Sequence, residues 1–99
     1  MMKFPNSRPI KTNKDEAAAI ALQGLTFLAA DEQRLSRFLA LTGIGPAELK
    51  IAAATDEFQA AILDYLLRDE SLLLVFAAEC GIAPEKVAPA YAMLSGAGA

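Results

Sequence analysis

The stretch that decides the fold is DEQRLSRFLALTGIGPAEL, which runs from Asp31 to Leu49. A related stretch, DESLLLVFAAECGIAPEKV, runs from Asp69 to Val87, at an offset of 38 residues and without a gap. Eight of the nineteen aligned pairs are identical, whereas ordinary residue usage would give roughly one or two. The shared residues form an acidic start, an apolar stripe, a glycine stop and a proline, which is the order that a helix and its end require. The pattern therefore indicates a duplicated helical unit.

The duplication predicts an all-α fold, a compact bundle of about six short helices in two pseudo-repeated halves. A single helical domain is predicted over residues 14–95, with a first half of about 14–54 and a second half of about 55–95. A flexible basic tail is predicted over residues 1–13, because two prolines and three unopposed cations disfavour regular structure there. Two copies are fewer than a solenoid needs, so we expect a closed bundle.

The predicted helix ends are marked by residues that suit them. Four helices are expected to begin after a residue whose side chain can cap free N–H groups: Asn13, Asp31, Thr55 and Asp69. Gly43 and Gly81 are the predicted stops of the second and fifth helices. A proline three residues beyond each stop suits the first position of the next helix. Pro89 falls inside the last predicted helix, so a kink or break is expected near Ala88.

The first helix is rich in small and apolar residues. Ile20, Phe27 and Leu28 lie on one face of it, at the spacing of a buried helical stripe. Gly24 lies in its interior, where glycine costs about 1 kcal/mol relative to alanine. We therefore expect another helix to cross closely at this position.

The fifth helix shows the clearest difference between the two copies. From Leu72 to Ala78 it has no polar side chain. The second helix has three in the corresponding turns: Arg34, Ser36 and Arg37. A helix that is apolar on all sides has to be covered on all sides. The fifth helix is therefore either the central helix of the bundle, which we expect, or the source of an interface with another chain. The residues of that interface would be Leu72, Leu74 and Val75.

Composition limits the functional classes. The chain has 99 residues, a hydrophobic content of 55%, a net charge of −3 and no histidine. Without histidine it lacks the commonest general acid–base group and metal ligand, and its acidic balance disfavours broad affinity for nucleic acid or anionic membranes. The longest apolar run, residues 17–30, is too short to span a bilayer. We expect a cytoplasmic protein that is not an enzyme and binds no cofactor, metal or membrane.

Two further features were weighed as sites of chemistry. The carboxylate pairs Asp31–Glu32 and Asp69–Glu70 suit a divalent cation, but N-capping accounts for the same residues. The single Cys80 excludes an intrachain disulfide and fits a reducing compartment. It has no histidine to activate it, and Thr42 is its counterpart in the first copy, so we expect a small, half-buried position at a helix end.

The segment FLALTGIGPAEL, residues 38–49, resembles the helix–hairpin–helix motif of DNA repair and recombination proteins. In that motif the backbone N–H groups of a Gly–apolar–Gly hairpin bind a DNA phosphate. The resemblance implies that Gly43, Ile44 and Gly45 contact phosphate, with Lys50 as a nearby cation. The second copy has lost its second glycine, and Glu48 follows the first hairpin closely.

The chain from about residue 16 to residue 94 also resembles a bacterial domain-of-unknown-function family, number thirty-five seventy-two. Three stretches carry this resemblance: ALQGLTFLAADEQRLSRFLALTGIGPAELK, FQAAILDYLLRDESLLLVFA and GIAPEKVAPAYAML. It implies a small, cytoplasmic helical protein, and it assigns no activity and no site.

The leading interpretation is a non-enzymatic protein-interaction module, whose partner is an unidentified protein or a second copy of the chain. The alternative is a DNA-binding domain that uses the hairpin at residues 43–45. An enzyme is the third interpretation, since no catalytic constellation is evident in the sequence.

Overall fold

The computed structural model describes residues 12–96 as six α-helices. They are α1 (Lys14–Ala29), α2 (Glu32–Thr42), α3 (Leu49–Ala52), α4 (Asp56–Leu67), α5 (Glu70–Cys80) and α6 (Val87–Ser95). Two 3₁₀ turns, Pro46–Glu48 and Pro84–Lys86, lead into α3 and α6. No strand occurs in the described residues, so the predicted all-α class is confirmed. The predicted tail lies outside the described residues, apart from Thr12 and Asn13.

The predicted caps are present. Asn13 Oδ1 accepts the N–H of Glu16 at 2.8 Å, and Thr55 Oγ1 accepts the N–H of Phe58 at 3.2 Å. Asp31 and Asp69 also accept backbone N–H groups in the first turns of α2 and α5. These bonds satisfy donors that have no partner within the helix itself.

The predicted stops are also present. Gly43 has φ +76° and Gly81 has φ +66°, the left-handed conformation that ends a helix at little cost only in glycine. Each of them donates its N–H to a carbonyl in the last turn of the preceding helix, to Leu39 in α2 and to Ala77 in α5. The chain therefore turns at the two predicted points.

The expected break at Pro89 is wrong. The helix α6 begins at Val87 and continues through Pro89 to Ser95. Pro89 is the third residue of this helix, where a backbone N–H would have no partner within the helix, so the missing donor costs little. The error arose from placing the helix start at Pro84, which instead opens a 3₁₀ turn.

The centre of the bundle is α4, together with α1 and α6, and not α5. Ile62, Leu63 and Leu66 of α4 are fully buried, and α4 packs against α1, α5 and α6. In α5 only Phe76 and Ala77 are buried. The expectation that α5 is central is therefore wrong, because an apolar sequence shows that a helix can be covered and not which helix covers it.

The close crossing predicted at Gly24 is present between α1 and α4. A Cβ atom at Gly24 would lie 3.0 Å from Ile62 Cγ2 and 3.1 Å from Leu66 Cδ1. These distances are shorter than ordinary van der Waals contact. Glycine at this position therefore lets the two helices approach closely.

Several contacts are related by the same offset of 38 residues that relates the two sequence copies. The ring of Phe27 lies 5.5 Å from that of Phe76, and the ring of Tyr65 lies 5.2 Å from that of Phe38. The offset takes Phe27 to Tyr65 and Phe38 to Phe76, so the two ring pairs exchange. It also takes Gly24 to Ile62, the two residues at the crossing. These relations support two equivalent halves, whose overall superposition stays a prediction.

Candidate functional site

The outer side of α5 exposes two large apolar side chains. Leu74 is 50% exposed and Val75 is 39% exposed. We call this pair the α5 ridge. Leu72, the third residue of the predicted interface, is half-buried and packs against the core. The structure therefore brings Leu74 and Val75 together on the surface and places Leu72 beneath them.

Acidic side chains lie at both ends of the α5 ridge. Glu70 precedes Leu74 by four residues and Glu79 follows Val75 by four, so each lies one helical turn away on the same side. Both are exposed, and α5 contains no lysine or arginine. The ridge is thus an apolar patch with negative charge at each end.

The hairpin at residues 43–45 has no free backbone donor for a phosphate. Gly43 donates its N–H to the Leu39 carbonyl at 2.8 Å. Ile44 donates to Thr42 Oγ1 at 3.4 Å, and Gly45 donates to Glu48 Oε1 at 3.0 Å. The Glu48 carboxylate therefore occupies the acceptor position that a phosphate would take. Each donor that the DNA-binding interpretation requires has a partner within the chain.

The remaining residues of the hairpin fit a role in packing. Ile44 is half-buried against the core, as is its counterpart Ile82. Lys50 is exposed on α3, one turn from Ile51, which is 77% exposed. The structure does not gather cations around the hairpin amides.

A groove that the sequence did not reveal runs between the end of α2 and the outer side of α4. Two adjoining depressions share Thr42 and Ala61, and the larger has a volume of about 450 Å³. We call their union the α2–α4 groove. Its other lining residues are Phe38, Leu41, Ile44, Ala52, Thr55, Glu57, Phe58, Asp64, Tyr65 and Arg68. Leu41, at its edge, is 70% exposed.

A sequence signal for this groove existed in part. Leu41 lies away from the buried stripe of α2 that contains Leu35 and Phe38, so its exposure could be read from helical spacing. The other wall comes from α4, and nothing local predicts that α2 and α4 lie side by side. The groove was therefore missed because it depends on contacts between distant parts of the chain.

Cys80 is the one described residue whose ionisation is clearly perturbed. It lies at the end of α5 and is half-buried, as expected from its counterpart Thr42. Burial raises the pKa of the Cys80 thiol, and the neighbouring Glu79 carboxylate raises this pKa further. The thiol is therefore mostly protonated near neutral pH, the less nucleophilic form.

The described residues were also inspected for metal and membrane sites. No group of three or more histidine, cysteine, aspartate or glutamate side chains among residues 12–96 is arranged to hold a metal ion. Within the same range no helix has the length and hydrophobicity to cross a membrane.

Comparison with known proteins gives one family match. The family described as "Protein of unknown function (DUF3572)" matches residues 14–97, which is nearly the whole chain. No curated protein and no solved structure matches it. The match covers all six helices and assigns no activity to any residue.

Proposed function

The chain belongs to the DUF3572 family of proteins of unknown function, and we propose that it is a non-enzymatic interaction module that binds another protein chain through the α5 ridge. The observation that carries this proposal is the exposure of Leu74 and Val75 on a helix whose counterpart, α2, has Ser36 and Arg37 at the same positions. The ordinary polar surface of a helix is present in one half and replaced by apolar residues in the other.

The energetics favour covering this surface. Fully burying a leucine or valine side chain contributes about 1.5–3 kcal/mol, and both ridge residues are already partly buried. Covering the remaining surface of the pair therefore contributes roughly 1 kcal/mol for each residue. A contribution of this size, together with the surrounding contacts, suits the centre of an interface.

The test replaces the ridge by the residues that α2 has at the equivalent positions. The variant Leu74→Ser/Val75→Arg gives α5 the polar surface of α2. We expect the wild-type chain, at its natural level in a gentle extract of its host cells, to migrate in size-exclusion chromatography well above its own 10.5 kDa. We expect the variant to migrate as a monomer.

The matched control is Leu22→Ser. Leu22 is 41% exposed on α1, so this change removes a similarly exposed leucine away from the ridge. We expect it to leave the migration unchanged. Wild-type protein that migrates as a monomer under these conditions, or a ridge variant that migrates as the wild type does, contradicts the proposal.

A further inference from the structure

The α2–α4 groove and the α5 ridge are opposite in shape, and both depart from the internal repeat. At the groove, Leu41 and Ala61 correspond to Glu79 and Gln23 in the other half. The groove is thus apolar where its counterpart is polar. At the ridge the same is true of the second half. The chain has one apolar recess and one apolar projection, and neither follows from the duplication.

The recess offers aromatic surface. Phe38 packs with its ring 5.5 Å from that of Phe58 and 5.2 Å from that of Tyr65. These three rings line the groove. The small side chain of Ala61 leaves room above them, and Leu41 forms one edge. An apolar side chain that enters the groove would contact aromatic faces and edges.

The charges around the two features are complementary. Arg37 precedes Leu41 by four residues and so lies one turn away on α2, and Arg68 lines the same end of the groove. The one carboxylate beside them, Asp64, already pairs with Arg68 at 2.9 Å. The α5 ridge has Glu70 and Glu79 at its ends and no cation on its helix. Acidic ends therefore suit the arginines at the Leu41 edge.

We propose that two copies of this chain associate by placing the α5 ridge of one copy in the α2–α4 groove of the other. This inference rests on the proposed function and names its partner as a second copy. Leu74 and Val75 enter the groove beside Ala61 and Leu41, and the acidic ends of the ridge face Arg37 and Arg68. Each copy offers both features, so a closed dimer contains the contact twice.

The experiment uses the purified full-length chain in sedimentation equilibrium with three variants. Leu74→Ser/Val75→Arg removes the ridge and Leu41→Glu disrupts the groove, each by introducing the residues found at the equivalent positions of the other half. Leu22→Ser is the control. We expect the wild type and the control to dimerise, and each of the other variants to dimerise about tenfold or more weakly.

The decisive sample is an equimolar mixture of the ridge variant and the groove variant. One intact groove and one intact ridge remain in the mixed pair, so we expect a heterodimer that is stronger than either variant alone and weaker than the wild type. Circular dichroism checks that every variant is folded. If a variant unfolds, the salt series of the wild type replaces it, and we expect dimerisation to weaken as salt rises because the paired charges are screened.

Three results would overturn the inference: a monomeric wild type, a groove variant that dimerises as the wild type does, and a mixture that shows no recovery. Dimerisation that does not weaken with rising salt also counts against it. A monomeric purified chain that still forms a larger species in the host extract leaves the proposed function standing and excludes the second copy as partner. A ridge variant that alone abolishes dimerisation indicates contact between two α5 helices.

Discussion

Single residues show where this sequence is constrained by its neighbours. Gly24 is small because the side chains of Ile62 and Leu66 leave no space for a Cβ atom. Gln59 is the one buried polar residue of the described core, and its Nε2 donates to the Ala53 carbonyl at 2.8 Å. The first role was predicted, since glycine inside a helix is a recognisable cost. The second was not, because a glutamine on a helix gives no sign that its partner lies six residues earlier in a turn.

Gly24→Ala tests the close crossing of α1 and α4. In the wild-type chain we expect the free energy of unfolding to fall by about 1 kcal/mol, because overpacking of the fully buried Ile62 and Leu66 exceeds the gain in helix propensity. In an Ile62→Ala background the nearest obstacle is removed, and the same change should raise stability by about 1 kcal/mol. Urea denaturation of the four chains measures both effects. An equal effect in the two backgrounds contradicts the crossing.

Cys80 should react slowly with an alkylating reagent. Its pKa is raised by burial and then by the Glu79 carboxylate, so the reactive thiolate is scarce at neutral pH. We expect the rate of reaction with iodoacetamide to rise with pH through a midpoint above the ordinary value for a free thiol. Glu79→Gln should lower that midpoint without restoring the ordinary value, because the larger cause is burial. A midpoint at or below the ordinary value contradicts this account.

At the scale of single elements, the order of cap, helix, glycine and turn is the same in both halves. The helices α2 and α5 each follow a capping aspartate and each end at a glycine with positive φ. A 3₁₀ turn then leads into the next helix in both places. These ends were predicted from the sequence because each depends on residues within about one turn. The end of α3 at Ala52 and the start of α6 at Val87 were less accessible, since 3₁₀ turns differ little from helix starts in sequence.

The two capping aspartates should have comparable effects. Asp31→Ala and Asp69→Ala each remove an N-cap, and we expect each to lower the free energy of unfolding by about 1 kcal/mol. Asp31 accepts two backbone N–H groups and lies 3.9 Å from Arg34 Nε, so its loss should cost slightly more. Thermal or urea unfolding measures both. A negligible cost at either position contradicts the cap assigned there.

Gln59 connects two elements, since it lies on α4 and bonds to the turn that follows α3. Gln59→Leu keeps most of the apolar volume and leaves the Ala53 carbonyl without this donor. We expect a loss of about 1–3 kcal/mol, the cost of an unsatisfied polar group in a partly buried site. Gln33→Leu, on the exposed face of α2, is the control and should change stability little. Equal unfolding free energies for the two variants contradict the role of Gln59.

At the scale of the whole molecule, the surface differs between the halves more than the framework does. Local signals predicted the helices, but not which helix lies at the centre, because that depends on contacts between distant residues. The wrong expectation for α5 had a consequence for function: since α4 takes the centre, the apolar outer side of α5 is left at the surface. The groove beside Leu41 was missed for the same reason, since its walls come from α2 and α4. The ridge was foreseen only as the less favoured alternative.

The central claim is that the α5 ridge is covered by another protein chain in the cell. Site-specific photo-crosslinking tests it most directly, with a photoreactive residue placed at Leu74 in one chain and at Leu22 in the control, two positions of similar exposure. We predict one discrete crosslinked species from position 74 on irradiation of intact host cells, and none from position 22. Mass spectrometry of that species then shows whether the second chain is a copy of the first. No discrete species from position 74, or equal crosslinking from both positions, would contradict the claim.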